Sequence, residues 1–101
     1  MEKDNYITEV IFRRFNKGKE IIALFPAEAG SYDPETCSSY MHMGQHGNAS
    51  VALSSMTKPA NLSEPDVLDL YNELQQCGYS LKVVNRFTTK HRSARVAEIK
   101  E

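Results

Sequence analysis

Apolar and β-branched residues recur along the first quarter of the chain in the pattern of two extended strands. The first strand is predicted over residues 6–15 and the second over residues 20–25. Residues 16–19 between them are polar, and Gly18 can adopt the positive φ that a tight turn requires. This short connection predicts an antiparallel hairpin. Pro26 is predicted to end the second strand, because proline cannot donate to the ladder.

Two weaker strand patterns follow the hairpin. Residues 27–36 contain glycine, aspartate and proline and are predicted to form a loop, and residues 37–43 a third strand. Residues 44–48 hold two glycines and an asparagine, which favours a sharp reversal of the chain. Residues 49–54 are then interpreted as a fourth strand, although most of their side chains are small.

A helix is the clearest element in the sequence. Ser63 is predicted to cap its start with Asp66 three residues later, and Pro65 falls in the first turn, where its missing N–H costs nothing. Gly78 is predicted to end it in the left-handed conformation. The apolar positions follow helical spacing and are interpreted as core residues: Val67, Leu70, Tyr71, Leu74 and Cys77.

A last strand is predicted over residues 79–87, and residues 88–101 are interpreted as a polar, basic tail that is frayed or helical. Residues 1–87 would then form one domain. We expect an α+β fold in the order β-β-β-(β)-α-β, with one helix packed on one face of a small, mostly antiparallel sheet. The predicted core comprises Val10, Phe12, Ile22, Leu24, Met41, Met43, Leu70, Leu74, Leu81 and Val83.

Composition narrows the class of protein without identifying a function. The 101 residues are 41% hydrophobic and 25% charged, which is ordinary for one globular domain. No apolar run approaches the roughly 20 residues of a membrane span, and the charged start does not resemble a signal peptide, so a cytoplasmic location without membrane contact is expected. Cys37 and Cys77 are expected to be free thiols.

Charge is distributed unevenly along the chain. Residues 20–79 hold eight acidic residues against Lys58 alone, whereas residues 80–97 hold five basic residues and no acidic one. This asymmetry is compatible with an anionic partner, but the small number of basic residues favours the other interpretation, a cationic strand lying beside an acidic helix.

The alternation of the third strand suggests where a binding surface would lie. If Met41 and Met43 point into the core beneath the helix, their neighbours point the other way. The expected open face of the sheet then carries Tyr40, His42, Lys82 and Arg86.

The densest group of reactive side chains lies in residues 37–47. Cys37, His42 and His46 are potential zinc ligands, but the sequence contains neither a CxxC nor an HExxH motif. A nucleophile at Cys37 or Ser39 would lie on the strand face opposite His42 as its base. We therefore treat metal-binding and catalytic sites as the weaker alternatives, and expect no cofactor.

Two binding hypotheses remain. The first is a non-enzymatic accessory or protein-interaction module that uses the hairpin from Tyr40 to His46 and the open face, with another protein or a second copy as partner. The second is a weak binder of single-stranded nucleic acid, with bases stacking on the hairpin and phosphates on the basic residues. The proposed binding residues are Tyr40, His42, His46, Lys82 and Arg86, with the basic tail added in the second hypothesis.

Four segments of the chain form a recognisable set: Glu9 to Arg13, Ile22 to Pro26, Ser39-Tyr40-Met41-His42-Met43-Gly44-Gln45-His46-Gly47, and Gly78 to Val84. Together they resemble a family of small uncharacterised bacterial proteins, some of them phage-associated. The resemblance spans about residues 6–86 and implies one compact domain without a transferable activity. Members tend to carry an acidic residue soon after the second histidine, where this chain has Asn48-Ala49-Ser50.

Overall fold

The structure is a computed structural model that describes residues 7–18, 20–41 and 45–100. Within these residues a six-stranded, mostly antiparallel sheet is combined with two α-helices, which confirms the predicted α+β class. The elements are β1 (Thr8–Phe15), β2 (Ile21–Ala29), β3 (Thr36–Met41), β4 (Gln45–Ser50), a 3₁₀ helix (Val51–Met56), β5 (Thr57–Pro59), α1 (Pro65–Gln76), β6 (Leu81–Val83) and α2 (Thr89–Lys100).

The order of strands in the sheet is β4-β3-β2-β1-β5, and β6 also pairs with β1. The far edge of β1 is thus shared between two short strands. Its first half pairs in parallel with β6, with Thr8 opposite Leu81, and its second half pairs antiparallel with β5, with Arg13 opposite Pro59. The described part of β4 forms the other edge of the sheet.

The predicted hairpin of β1 and β2 is confirmed, with Ile11 opposite Leu24 and Gly18 at φ 89° in its turn. The prediction that Pro26 ends β2 is wrong, because the strand continues to Ala29. The pairing of β2 with β3 is irregular between Phe25 and Ala29, and proline is tolerated at such bulges because the ladder is already interrupted there.

One face of the sheet packs against α1, and we call it the first face. Alternate residues of the central strands share this side, because side chains alternate across a strand. Leu70 and Leu74 of α1 close the cluster as predicted. The buried residues of the first face are Val10, Phe12, Ala23, Phe25 and Tyr40, packed with Ala60, Val67, Leu70 and Leu74.

The ends of α1 differ partly from the prediction. The N-cap is Glu64 rather than Ser63, and Arg14 of β1 forms ion pairs with both Glu64 and Asp66. The pKa of Glu64 is lowered first by the Asn61 backbone N–H, which donates to its carboxylate at 2.9 Å, and then by Arg14, whereas Arg14 is the main cause of the lowered pKa of Asp66. The two ion pairs tie the start of the helix to the sheet. Gly78 ends the helix at φ 106° as predicted. Cys77 is exposed, so its predicted place in the core is wrong.

The opposite side of the sheet, the second face, is also covered. Ile11, Ile22, Leu24 and Cys37 are buried there. The predicted core is therefore divided between two faces, and Val83 is 37% exposed rather than buried. Partly buried residues packed on this cluster are Phe15, Met41, Ala49, Leu53, Val84 and Phe87.

The segment predicted as a tail contains α2, which packs against β2. Arg95 is only 2% exposed, and its guanidinium lies 5.6 Å from the ring centre of Phe87. It donates to the carbonyl oxygens of Pro26 at 2.6 Å and Pro34 at 2.8 Å. The sheet therefore carries a second helix besides the predicted one. The sequence did not indicate this packing, because α2 has little apolar surface and is attached by the buried Arg95.

The remaining differences concern short elements. The fourth strand is Gln45–Ser50, and residues 51–54 of its predicted range begin the 3₁₀ helix. The last strand shrinks to Leu81–Val83, and β5 was not predicted at all. No helix in the described part of the chain is long and apolar enough to cross a membrane.

Candidate interaction site

Tyr40 lies inside the molecule rather than on an open face. It is 2% exposed, and its hydroxyl is hydrogen-bonded to the carboxylate of Glu73 on α1. Its Cα partner in β2 is Ala23, which belongs to the cluster beneath α1, whereas Met41 packs on the second face. The predicted sides of the third strand are therefore reversed, because nothing in the sequence fixes which parity the helix covers. Tyr40 is unavailable for base stacking in this fold.

His46 is exposed, in contrast to Tyr40 at the other end of the predicted hairpin. It lies opposite Tyr40 in the ladder, and the two ring centres are 4.6 Å apart in an edge-on arrangement. This contact fixes the imidazole at the surface of the first face, near the free edge of β4. His42 and Met43 lie outside the described residues.

The basic residues of the predicted surface lie elsewhere. Lys82 is exposed on β6, and Arg86 is exposed just after it. His46 lies on β4, and three strands, β3, β2 and β1, separate β4 from β6 in the sheet. The predicted set is thus split between the two ends of the sheet.

The reactive groups of residues 37–47 do not converge either. Cys37 is fully buried on the second face, whereas His46 contacts Tyr40 on the first. Burial raises the pKa of the Cys37 thiol to about 11, so it is protonated and unreactive near neutral pH. Among the described residues, no group of three or more His, Cys, Asp or Glu side chains is placed to hold a metal ion.

A cleft of about 670 Å³ lies where β1, β2 and the start of α2 meet. Arg86 and Lys90 line it together with two carboxylates, Glu9 and Glu28. Burial raises the pKa of Glu28, the negative charge of Glu98 raises it further, and His46 partly offsets these effects. The charges of the two cations are therefore opposed by acidic groups within the same cleft.

His91 in this cleft serves as part of a helix cap. The backbone N–H of Thr88 donates to its Nδ1 at 3.0 Å, and the Thr88 hydroxyl accepts the His91 N–H at 3.3 Å. This reciprocal pair is a capping box with histidine in the usual place of glutamate. The Nε2 contacts the Glu9 carboxylate, and this arrangement assigns the ring proton to Nε2. Because both ring nitrogens are engaged, His91 has no free position for acid–base catalysis.

The outer edge of β4 offers a different kind of site. The bond from the Val51 N–H to the Glu35 carbonyl at 2.8 Å places residue 51 in a hydrogen-bonded pair at the end of the ladder. Pairs alternate along an antiparallel ladder, and the register from residue 45 to residue 50 is unbroken. The backbone groups of His46, Asn48 and Ser50 therefore point away from β3, and no other described strand pairs with them.

The two edges of the sheet differ in how they are protected. At one edge, Lys58 and Pro59 lie in β5 and Lys82 in β6, residue types that block pairing with a foreign strand. By contrast, the sequence of β4 is Gln-His-Gly-Asn-Ala-Ser, with no lysine, proline or carboxylate. The sequence singles out the hairpin by its side chains. It does not show that the backbone of β4 is unpaired on its outer side, because that depends on the order of the strands in the sheet.

No family model, curated protein or solved structure matches this chain. The resemblance to small bacterial proteins therefore stays a prediction.

Proposed function

We propose that this protein is a small, non-enzymatic interaction module that binds an extended segment of a protein partner along the outer edge of β4. The observation that carries the proposal is the unprotected edge itself, with the outward backbone groups of His46, Asn48 and Ser50. An added strand gains affinity from main-chain hydrogen bonds, and neighbouring side chains give specificity. A cytoplasmic location belongs to the proposal and is supported by two free cysteines.

Side chains beside the edge supply contact area. His46 is held in place by Tyr40. Tyr32 is 88% exposed and lies in the loop before β3. That loop is tied to β4 by the bond from Asn48 Nδ2 to the Gly30 carbonyl oxygen at 3.2 Å. Aromatic residues are enriched at protein interfaces, because they bury a large area at a small entropic cost.

Site-specific photo-crosslinking in cells tests this proposal. A photoreactive phenylalanine derivative replaces His46, and in a matched control it replaces Lys58 on the opposite edge. We expect protein adducts at position 46 and none at position 58, with the crosslinked segment of the partner identified by mass spectrometry. Equal adduct yields at the two positions, or none at position 46, would refute an interaction through β4.

A second pair of variants tests whether the backbone is responsible. Asn48→Pro removes an outward N–H but no bond to β3, whereas Asn48→Ala keeps that N–H and loses the same side chain. The adduct at position 46 should disappear in the proline variant and persist in the alanine variant. Loss in both variants would mean that the amide side chain, rather than strand addition, holds the partner.

Binding of single-stranded nucleic acid is the second candidate. Arg86 and Lys90 line the same cleft, and no described residue forms an ion pair with either. Tyr40 is buried, so bases cannot stack on its ring. Binding of a fluorescent oligonucleotide should then weaken with added salt and with Arg86→Ala. Affinity that does not change with salt would dismiss this candidate.

A further inference from the structure

We infer that the partner at this edge is a second copy of the same chain, joined by antiparallel pairing of β4 with β4 across a twofold axis at Asn48. The inference rests on the proposed function, since it uses the same edge. It deepens that proposal by naming the occupant and the register.

The register follows from the direction of the backbone groups. A twofold axis that relates antiparallel neighbours must keep like faces of the sheet together, so residues of the same parity lie opposite each other. An axis at Asn48 places Asn48 opposite Asn48 of the second copy, and His46 opposite its Ser50. Each residue of β4 whose backbone groups point away from β3 then lies opposite another such residue of the second copy. The Asn48 pair gives two hydrogen bonds, and each His46–Ser50 pair gives one, because the Ser50 carbonyl oxygen already accepts the first bond of the 3₁₀ helix. The paired strands therefore share about four hydrogen bonds.

The side chains of β4 are compatible with their own symmetry mates. On the first face, the imidazole of His46 would meet the hydroxyl of Ser50, and two Asn48 amides would meet at the axis. On the second face, Gly47 would meet Ala49, and both are small enough for close approach of the strands. The strand carries no carboxylate, lysine or arginine, so self-pairing brings no like charges together.

Self-pairing would also remove the least protected edge of the sheet. A dimer of this kind has one continuous sheet, whose two outer edges are the pair of short strands carrying Lys58, Pro59 and Lys82. An isologous interface closes on itself, so assembly stops at two chains. Because the other edge of the described sheet is protected, pairing through β4 predicts a dimer rather than a filament.

Charge substitution at the axis tests the inference on the full chain. Sedimentation velocity over a range of concentrations should show a monomer–dimer equilibrium for the wild-type protein. Asn48→Lys places two positive charges opposite each other and should raise the dissociation constant at least about tenfold, whereas Asn48→Ala should change it much less. Asn48→Asp should be monomeric as well, because it places two negative charges opposite each other.

An equimolar mixture of Asn48→Lys and Asn48→Asp then discriminates between explanations. The opposite charges should restore a dimer that contains one chain of each kind, a result that mere unfolding of either variant cannot give. A wild-type protein that stays monomeric, or a mixture without the mixed dimer, would overturn the inference. If crosslinks at position 46 then join the chain to a different protein, the proposed function stands and only self-pairing fails; if position 46 gives no adduct, both fail.

Discussion

Replacing the buried arginine of α2 is the most informative test of the fold. Arg95→Ala removes the guanidinium that lies against Phe87 and donates to Pro26 and Pro34. The change leaves two carbonyl oxygens beneath the helix without their donors. It therefore measures how far α2 is an integral part of the domain rather than a tail.

The magnitude follows from the contacts. A hydrogen bond from a charged donor contributes about 1.5–3 kcal/mol. A cation over an aromatic ring adds about 0.5–2 kcal/mol. These contributions overlap, so we expect Arg95→Ala to lower the free energy of unfolding by about 3–5 kcal/mol. A chain of this size has a total of roughly 5–15 kcal/mol, so the variant should be marginally folded or unfolded.

Urea denaturation followed by circular dichroism provides the measurement. Arg92→Ala is the matched control, because Arg92 lies on the same helix but is about half exposed, and Glu35 is its only ion-pair partner among the described residues. We expect that control to lose no more than about 0.5 kcal/mol. Arg95→Lys should fall between the two, since an ammonium group cannot span both carbonyls in the way a guanidinium does. A loss below about 1 kcal/mol in Arg95→Ala, or one equal to that of Arg92→Ala, would refute the reasoning.

Three further predictions concern single residues. A thiol reagent should modify Cys77 in the native protein and Cys37 only after denaturation, because Cys37 is buried and protonated; equal native rates would contradict this. Burial raises the pKa of Glu28, so ionisation of its carboxyl makes the folded state less stable. The free energy of unfolding of Glu28→Gln, measured in urea, should therefore rise relative to wild type as the pH rises above the ordinary value of 4.5, and a difference that is constant with pH would count against it. Gly30→Ala should lower the free energy of unfolding by about 1–3 kcal/mol in the same assay, since a Cβ there would lie 2.5 Å from the Cys37 carbonyl oxygen. Gly47→Ala should lower it less, because a Cβ at that position would meet only the Ser39 hydroxyl at 3.7 Å.

Local signals made part of this fold predictable. The β1–β2 hairpin follows from alternation around Gly18, and the end of α1 follows from Gly78. Both depend on neighbouring residues, whose conformational preferences act over a few positions. The capping box at Thr88 and His91 was a comparable signal for α2, but histidine in place of glutamate concealed it.

Long-range features were beyond local patterns. The face of the sheet on which Tyr40 lies depends on which alternate residues of β3 meet α1. The neighbouring strand does not settle this from sequence, because residues 10–12 of β1 are apolar on both faces. The helix α2 shows no strong apolar stripe, because its main anchor is the polar Arg95. Only the local part of the candidate site could be predicted, because its place in the sheet is also a long-range feature. The hairpin was found, but whether β4 lies at an edge is decided by the order of all the strands.

The divided edge of β1 bears on how the chain reaches this state during synthesis. A ribosome makes β1 first and β6 only after every other strand, yet Thr8–Val10 must pair with Leu81–Val83. Until then the first half of the oldest strand has only one neighbour, and closing so long a loop is slow. The nascent chain therefore passes through a stage in which the outer side of β1 from Thr8 to Val10 is unpaired, and this is the stage at which a chaperone would matter most.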